Sequence, residues 1–192
     1  MDHFRKPLLR LLPSWLLYLL LIVVLLQSSL AQAQVYEKKG LFRVTVQGWL
    51  PSEISEASHT FTCIACRYPA QVRITYTTES VIDVRFRSNE SFLDSLSSSA
   101  EQRTFALDVM ESLFPKGTPM DILKTKRSEL GGLKVFLFQA MARTKEGLAR
   151  RTIMMAVHHG RQVMVSLNYF EGSMDKASKK LIRDFLDSIR FL

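Results

Sequence analysis

The chain has 192 residues, with 26 Lys and Arg against 18 Asp and Glu, a formal net charge of +8. Hydrophobic residues make up 47% and charged residues 23%. Those values exclude a disordered chain, a collagen-like repeat and a polytopic membrane protein. Two cysteines are too few for a disulfide-framework mini-protein.

The composition is not uniform. Residues 1–10 carry Arg5, Lys6 and Arg10 against Asp2. Residues 11–26 are almost wholly apolar, broken by Pro13 and Ser14, and the purest run, 15–26, has twelve residues. A transmembrane helix needs about twenty, whereas the apolar region of a signal peptide spans about 7–15. Small and polar residues follow, with Ala31 and Ala33 as an A-x-A pair. A signal peptidase binds that stretch extended in shallow pockets, so cleavage is expected after Ala33, with an uncleaved anchor as the alternative. Residues 34–192 then form one domain with 23 basic and 17 acidic residues, a charge of +6. Export implies an oxidising compartment, so the expected location is periplasmic or secreted. Asn89-Glu90-Ser91 is a formal glycosylation sequon.

Phe42, Val44 and Val46 alternate with polar residues, a half-buried strand that Gly48-Trp49-Leu50-Pro51 should end. Residues 59–66 form a second candidate strand. Val72, Ile74 and Tyr76, then Ile82, Val84 and Phe86, continue the alternation, with Arg and Thr outward. Residues 89–96 predict a short helix carrying Phe92 and Leu96. Ser99 with Gln102 resembles a capping box for a longer helix, marked by Phe105, Val109 and Leu113 with Ala106 and Met110 beside them. Pro115 and Gly117 stop it.

Residues 121–130 lead to the turn signal Gly131-Gly132. Residues 133–143 are apolar on both faces, as a strand covered on both sides should be. Turns at residues 144–147 and at His159-Gly160 bound two more strands. One carries Ile153, Met155 and Val157, and the other Val163, Val165, Leu167 and Tyr169. The three form an antiparallel meander. Met141 and Met155 fall on inward phases and Met154 and Met164 on the other, as gap fillers beneath a helix. The last helix should start at Ser173 and bury Met174, Ala177, Leu181, Phe185 and Ile189. The fold class is therefore α+β: an antiparallel sheet of about six to seven strands, with a mid-chain helix and a C-terminal amphipathic helix packed on it.

Three features resemble the PsbP-like group of small exported α+β domains, which includes the DcrB-like bacterial envelope proteins. They are Phe42-x-Val44-x-Val46 running into Gly48-Trp49, the meander of residues 133–170, and the ending Phe185-Leu186-Asp187-Ser188-Ile189-Arg190-Phe191. Gln47 stands where that group usually has Pro. The resemblance implies an accessory, adaptor or assembly role rather than an enzyme, and transfers no catalytic residue.

Cys63-Ile64-Ala65-Cys66 is the sharpest local motif. In an exported protein the pair suits a local disulfide. Residues i and i+3 of a straight strand point to opposite faces, so the bond requires a bend. A redox-active, metal-binding or intermolecular pair is the alternative. A thioredoxin-like thiol needs a helix N-terminus, and a break and a strand follow here. Zinc would need two more ligands, and His59, His158 and His159 have no characteristic spacing to the cysteines. His158 and His159 fit a solvent-exposed turn. No hydrolase, P-loop or dinucleotide motif is present, so no cofactor, metal or catalytic residue is expected.

Charge is more informative. Residues 122–151 hold eight basic residues (Lys124, Lys126, Arg127, Lys134, Arg143, Lys145, Arg150 and Arg151) against Glu129 and Glu146. Their +6 equals the surplus of residues 34–192. Such a patch suits an envelope protein or an anionic lipid surface. Nucleic acid is not expected after export, and no aromatic stacking pattern accompanies the charge. The expected function is an exported, non-catalytic accessory or binding protein of the cell envelope. The alternatives are a thiol–disulfide redox protein using Cys63 and Cys66, and an immunity or inhibitor protein for a secreted toxin.

Overall fold

β-Branched and aromatic side chains at alternate positions favour pleated, half-buried strands. The first half of the domain obeys that rule in β1 (Val35–Lys38), β2 (Phe42–Thr45), β3 (Trp49–Ile54), β4 (Ser58–Cys63) and β5 (Gln71–Tyr76). Helices α1 (Asn89–Asp94) and α2 (Ser99–Leu113) follow. The second half holds β6 (Met120–Leu130), β7 (Leu133–Thr144), β8 (Gly147–His158), β9 (Arg161–Phe170), α3 (Lys176–Ser188) and β10 (Arg190–Phe191). The computed structural model describes residues 34–77, 88–145, 147–170 and 174–192. The expected leader with Ala31 and Ala33, the alternation at Ile82, Val84 and Phe86, and Ser173 lie outside those residues.

The architecture is α+β. A seven-stranded sheet runs in the order β3-β4-β5-β9-β8-β7-β6, with every pairing antiparallel. The expected meander is its β7-β8-β9 part, and β6 extends it at the edge. A second, three-stranded sheet of order β1-β2-β10 was not legible in the sequence. It takes β2, with Phe42 and Val44 buried beneath it, onto one face of the larger sheet. The Gly48-Trp49 turn does not end strand structure, as its Gly and Pro suggested. Gly48 sits at φ +76°, and β3 resumes at once with Trp49.

The large sheet has two differently covered faces. On one, Phe136, Phe138 and Ala140 of β7 and Ile153, Met155 and Val157 of β8 meet Phe92 and Leu93 of α1 and Ala106 and Met110 of α2. On the other, Val72, Ile74, Val165, Val135 and Met154 meet α3 and the small sheet. Met155 pairs with Met164 in the β8–β9 register, so those two share the α1/α2 face and Met154 takes the opposite one. The expected grouping of Met154 with Met164 is thereby corrected.

Two end signals were each off. The capping box of α2 is Ser98 with Glu101, not Ser99 with Gln102. Gln102 instead donates to the Leu96 carbonyl and accepts from Thr125 Oγ1 of β6, tying helix to sheet. Helix α3 is capped by Asp175, whose side chain accepts the Ser178 N–H at 2.7 Å, not by Ser173. Its buried positions are Ser178, Ile182, Phe185 and the C-cap Ile189, while Ala177 faces outward. Met174 and Leu181 pack against the core as expected, and the stripe widens to Ile182 and to Ser178, whose Oγ accepts the Arg67 N–H.

Helix α3 lies obliquely. Ser178 near its start is bonded to the β4–β5 connection. Leu186 and Asp187 near its end border a cleft with the β6–β7 turn at Gly131 and Gly132. Those connections lie at opposite ends of the sheet, so α3 crosses its face diagonally. The small sheet fills one of the two corners left over, where Phe42 stacks on Tyr76 at 6.0 Å. The other corner, at the ends of β6 to β9, is covered by neither α3 nor the small sheet and is open among the described residues.

Candidate functional site

The open corner is where part of the basic run converges. In antiparallel register Lys124 lies across from Gln139, and Gln139 from Thr152. Lys126 lies across from Leu137, and Met141 from Arg150. Side-chain alternation puts Lys124, Lys126, Arg143 and Arg150 on the α3 face. Lys124, Lys126 and Arg143 are exposed, and none has an ion-pair partner among the described residues.

The other four do not join them. Arg127 sits on the α1/α2 face, where it donates to the Leu93 carbonyl at 2.8 Å and pairs with Asp94 at 3.6 Å. Lys134 is the second residue of β7, beside α1, with its carbonyl accepting from Asn89 Nδ2. Lys145 is in the β7–β8 turn, and Arg151 faces away from Arg150 with its guanidinium 4.2 Å over the Phe114 ring. A linear surplus of charge is thus divided between faces by the two-residue period of strands. Only the tertiary arrangement shows which half shares a surface.

Beside this basic apron runs a groove between α3 and β9. Its walls include Leu167, Tyr169, Met174, Ile182 and Leu186, and its volume is about 370 Å³. Lys179, Arg183 and Asp187 of α3 form its far rim. From Leu167 the sheet continues through Thr152 and Gln139 to Lys124. An apolar trough with Lys179 and Arg183 on its rim, on a sheet face that carries Lys124 and Lys126 further along, is therefore complementary to an apolar strip with acids beside it. Sequence reasoning missed the α3 half of this surface. In sequence, Lys179 and Arg183 are only polar positions outside the apolar stripe of the last helix.

Cys63 and Cys66 form a disulfide. The required bend is present: the Ile64 and Ala65 N–H groups both donate to the Gly48 carbonyl, at 3.0 and 3.3 Å. A Cβ on Gly48 would stand 3.1 Å from Ala65 Cβ, so glycine is what lets the disulfide loop fold down there. Neither cysteine opens a helix, and among the described residues no group of three His, Cys, Asp or Glu could hold a metal ion.

The histidines fall at the opposite end of the sheet. His158 and His159 occupy the expected turn, with His159 at φ +49°. Their Nε2 atoms lie 3.2 and 3.1 Å from the Leu192 carbonyl oxygen. Burial, then the neighbouring His159, pushes the His158 pKa below the usual histidine value. His59 is fully buried beside Tyr36, Phe42 and Phe61. Its Nδ1 is 2.9 Å from Tyr36 Oη, and its Nε2 has no hydrogen-bond partner among the described residues. Burial, then Lys38, lowers its pKa, and burial raises that of Tyr36.

Among solved structures, the chain is similar to cyanobacterial PsbP (CyanoP) from Synechocystis sp. PCC 6803. The TM-score is 0.58 at 10% identity, over 83% of this chain and 92% of that one. A crystal structure from Bacteroides thetaiotaomicron gives a TM-score of 0.50 at 11% identity, over 84% of this chain. The chain covers 49% of that protein, about half its length. LpqN of Mycobacterium tuberculosis, a protein involved in cell envelope biogenesis, gives a TM-score of 0.43 at 10% identity, over 82% of this chain and 90% of that one. No family model matches the chain, and no curated protein matches its sequence. At these identities the likeness is one of fold, and that fold is PsbP-like. Among the described residues no helix is long and apolar enough to cross a membrane.

Proposed function

We propose that this protein is an exported, non-catalytic accessory domain of the cell envelope that binds an acidic, partly apolar segment of a partner protein. The segment would lie in the trough between α3 and β9. The observation that carries the reading is an apolar trough with Lys179 and Arg183 on its α3 rim, on the sheet face that also carries exposed Lys124 and Lys126 of β6, three strands from β9. Buried apolar contact supplies affinity, and complementary charge supplies orientation and association rate. A trough suits a chain segment better than a lipid surface, because its apolar side chains line a recess. The polar groups that line it are the Lys179 ammonium, the Arg183 guanidinium, the Asp187 carboxylate and the Tyr169 hydroxyl, a set that suits recognition. Export rests on the leader that residues 1–33 resemble.

The test places a photo-crosslinking amino acid at Met141, beside the trough, or at Thr62 on the α1/α2 face as control, in cells that express the protein. The expected result is a discrete protein adduct from Met141 and none from Thr62. Lys124→Glu with Lys126→Glu should weaken the Met141 adduct about tenfold or more, and added salt should weaken it further. Equal adducts from both positions, or an adduct indifferent to the charge reversal, overturn the proposal. So does binding of the purified protein to vesicles with 30% anionic phospholipid when Met141 yields no protein adduct.

A further inference from the structure

A second feature lies on the α1/α2 face, away from the trough. Gln71 of β5, Asn168 of β9 and Arg151 of β8 are consecutive cross-strand partners. They make one polar row across three strands, a step beyond Ile153, where the helix-covered core ends. A cavity of about 380 Å³ opens over the row, walled by Pro69 and by Phe114 at the end of α2.

Arg151 is not fully exposed, and Phe114 covers one face of its guanidinium. Among the described residues it makes no hydrogen bond and no ion pair. Its neighbour Arg73 is committed, donating to Glu53 Oε2 at 2.9 Å and to Thr60 Oγ1 at 3.0 Å. Asn168 repeats the pattern: its Oδ1 is buried with no hydrogen-bond partner among the described residues. A half-buried cation and a half-buried amide, side by side and both unsatisfied, are costly to leave so. A cation–π contact offsets only about 0.5–2 kcal/mol of that cost.

We propose that the Gln71–Asn168–Arg151 row is a seat for the carboxylate of a small organic acid. The uncovered edge of a guanidinium is a planar fork that matches a carboxylate with two parallel N–H donors. The amide groups of Asn168 and Gln71 add neutral donors, since the oxygen and nitrogen of an Asn side chain exchange places by a simple flip. The row takes a single carboxylate, because Arg151 offers one planar edge and Arg73 is already engaged by Glu53. Pro69, Phe114 and Ala149 offer the acid's carbon chain an apolar wall. The cavity falls at the small end of the usual ligand range of about 300–1,000 Å³. Gln71, Asn168 and Arg151 are not walls of the trough, although Tyr169 borders both cavities.

The test is NMR titration of the 15N-labelled protein with sodium butyrate, and separately with inorganic phosphate. Saturable shifts of the Arg151 Nε–H and the Asn168 side-chain amide are expected with butyrate at millimolar concentrations, and weaker ones with phosphate. Arg151→Gln should abolish them, and Arg151→Lys should weaken binding about tenfold, keeping the charge but losing the fork. Lys124→Glu with Lys126→Glu should leave butyrate binding unchanged, which separates this site from the trough. If Arg151 is held for a ligand, Arg151→Gln should also leave the urea midpoint unchanged or raise it. The proposal is overturned if butyrate gives no saturable shift, if phosphate binds at least as well, or if Arg151→Gln retains the shifts. A fall in the urea midpoint of Arg151→Gln without any butyrate shift in the wild type reduces Arg151 to a support for Phe114, and equally overturns it.

Discussion

Gly131 and Gly132 form the two-residue turn between β6 and β7, with Leu130 and Leu133 paired across it. Both are at positive φ, +60° and +85°, as a hairpin turn that matches strand twist requires. Alanine at either position adopts a left-handed backbone at a cost of about 1–2 kcal/mol. About 0.4–1 kcal/mol of that is offset by the lower entropy of the unfolded chain. The two glycines differ in what surrounds them. A Cβ at Gly132 meets nothing within 4 Å, whereas one at Gly131 would stand 2.8 Å from the Ile189 carbonyl oxygen and 3.1 Å from Phe191 Cδ2. Backbone oxygen cannot swing aside as a side chain does, so the 189–191 tail must shift. That disturbs fully buried Ile189 and the two residue pairs joining β10 to β2. Overpacking of this kind costs about 1–3 kcal/mol beyond the backbone term. Gly132→Ala should therefore lose about 0.5–1 kcal/mol, and Gly131→Ala about 2–4 kcal/mol. For a domain of this size the second loss lowers Tm by roughly 5–12 °C. Urea unfolding of both variants measures the difference directly. Equal losses within about 0.5 kcal/mol would refute the claim that the tail is packed on the turn.

Two further predictions rest on separate features. Ser98→Ala should cost about 1 kcal/mol by removing the cap of α2, while Ser99→Ala should be close to neutral in the same urea assay; the reverse order would restore the cap that sequence spacing suggested. The histidines make stability depend on pH with a definite sign. Both His59 and His158 have folded-state pKa values below the ordinary 6.5, from burial first. The unfolded chain therefore takes up protons before the folded one does. The stability they contribute is complete above about pH 6.5 and is lost as pH falls from there, with a limiting slope of about 1.4 kcal/mol per pH unit for each histidine. His59→Phe should flatten that slope between pH 6.5 and 5. A stability that rises on acidification over this window would contradict the burial of His59.

Much of this protein was written locally. The alternations at Phe42–Val44, Val72–Tyr76 and Val163–Tyr169 are buried strand faces. Gly131-Gly132 and His159-Gly160 are turns, and Cys63 bonds Cys66 across a bend that residue spacing demanded. Those features depend on a period of two, on positive φ and on a short covalent reach, all of which neighbouring residues decide. What depends on distant residues was not legible. Ser99-Gln102 and Ser98-Glu101 are equally good boxes in sequence, and Gln102 is withdrawn from capping by Thr125, 23 positions away. The buried stripe of α3 widens to Ser178, which finds the Arg67 amide 111 positions earlier. The small sheet forms because the chain's last residues return to β2. By itself the sequence determined an α+β meander with a disulfide bend and a surplus of positive charge between residues 122 and 151. Only the tertiary structure decided that Lys124, Lys126, Arg143 and Arg150 share one open corner while Arg127 and Arg151 face the other way. Strand alternation splits a linear run between two faces, and the diagonal course of α3 sets which part stays uncovered.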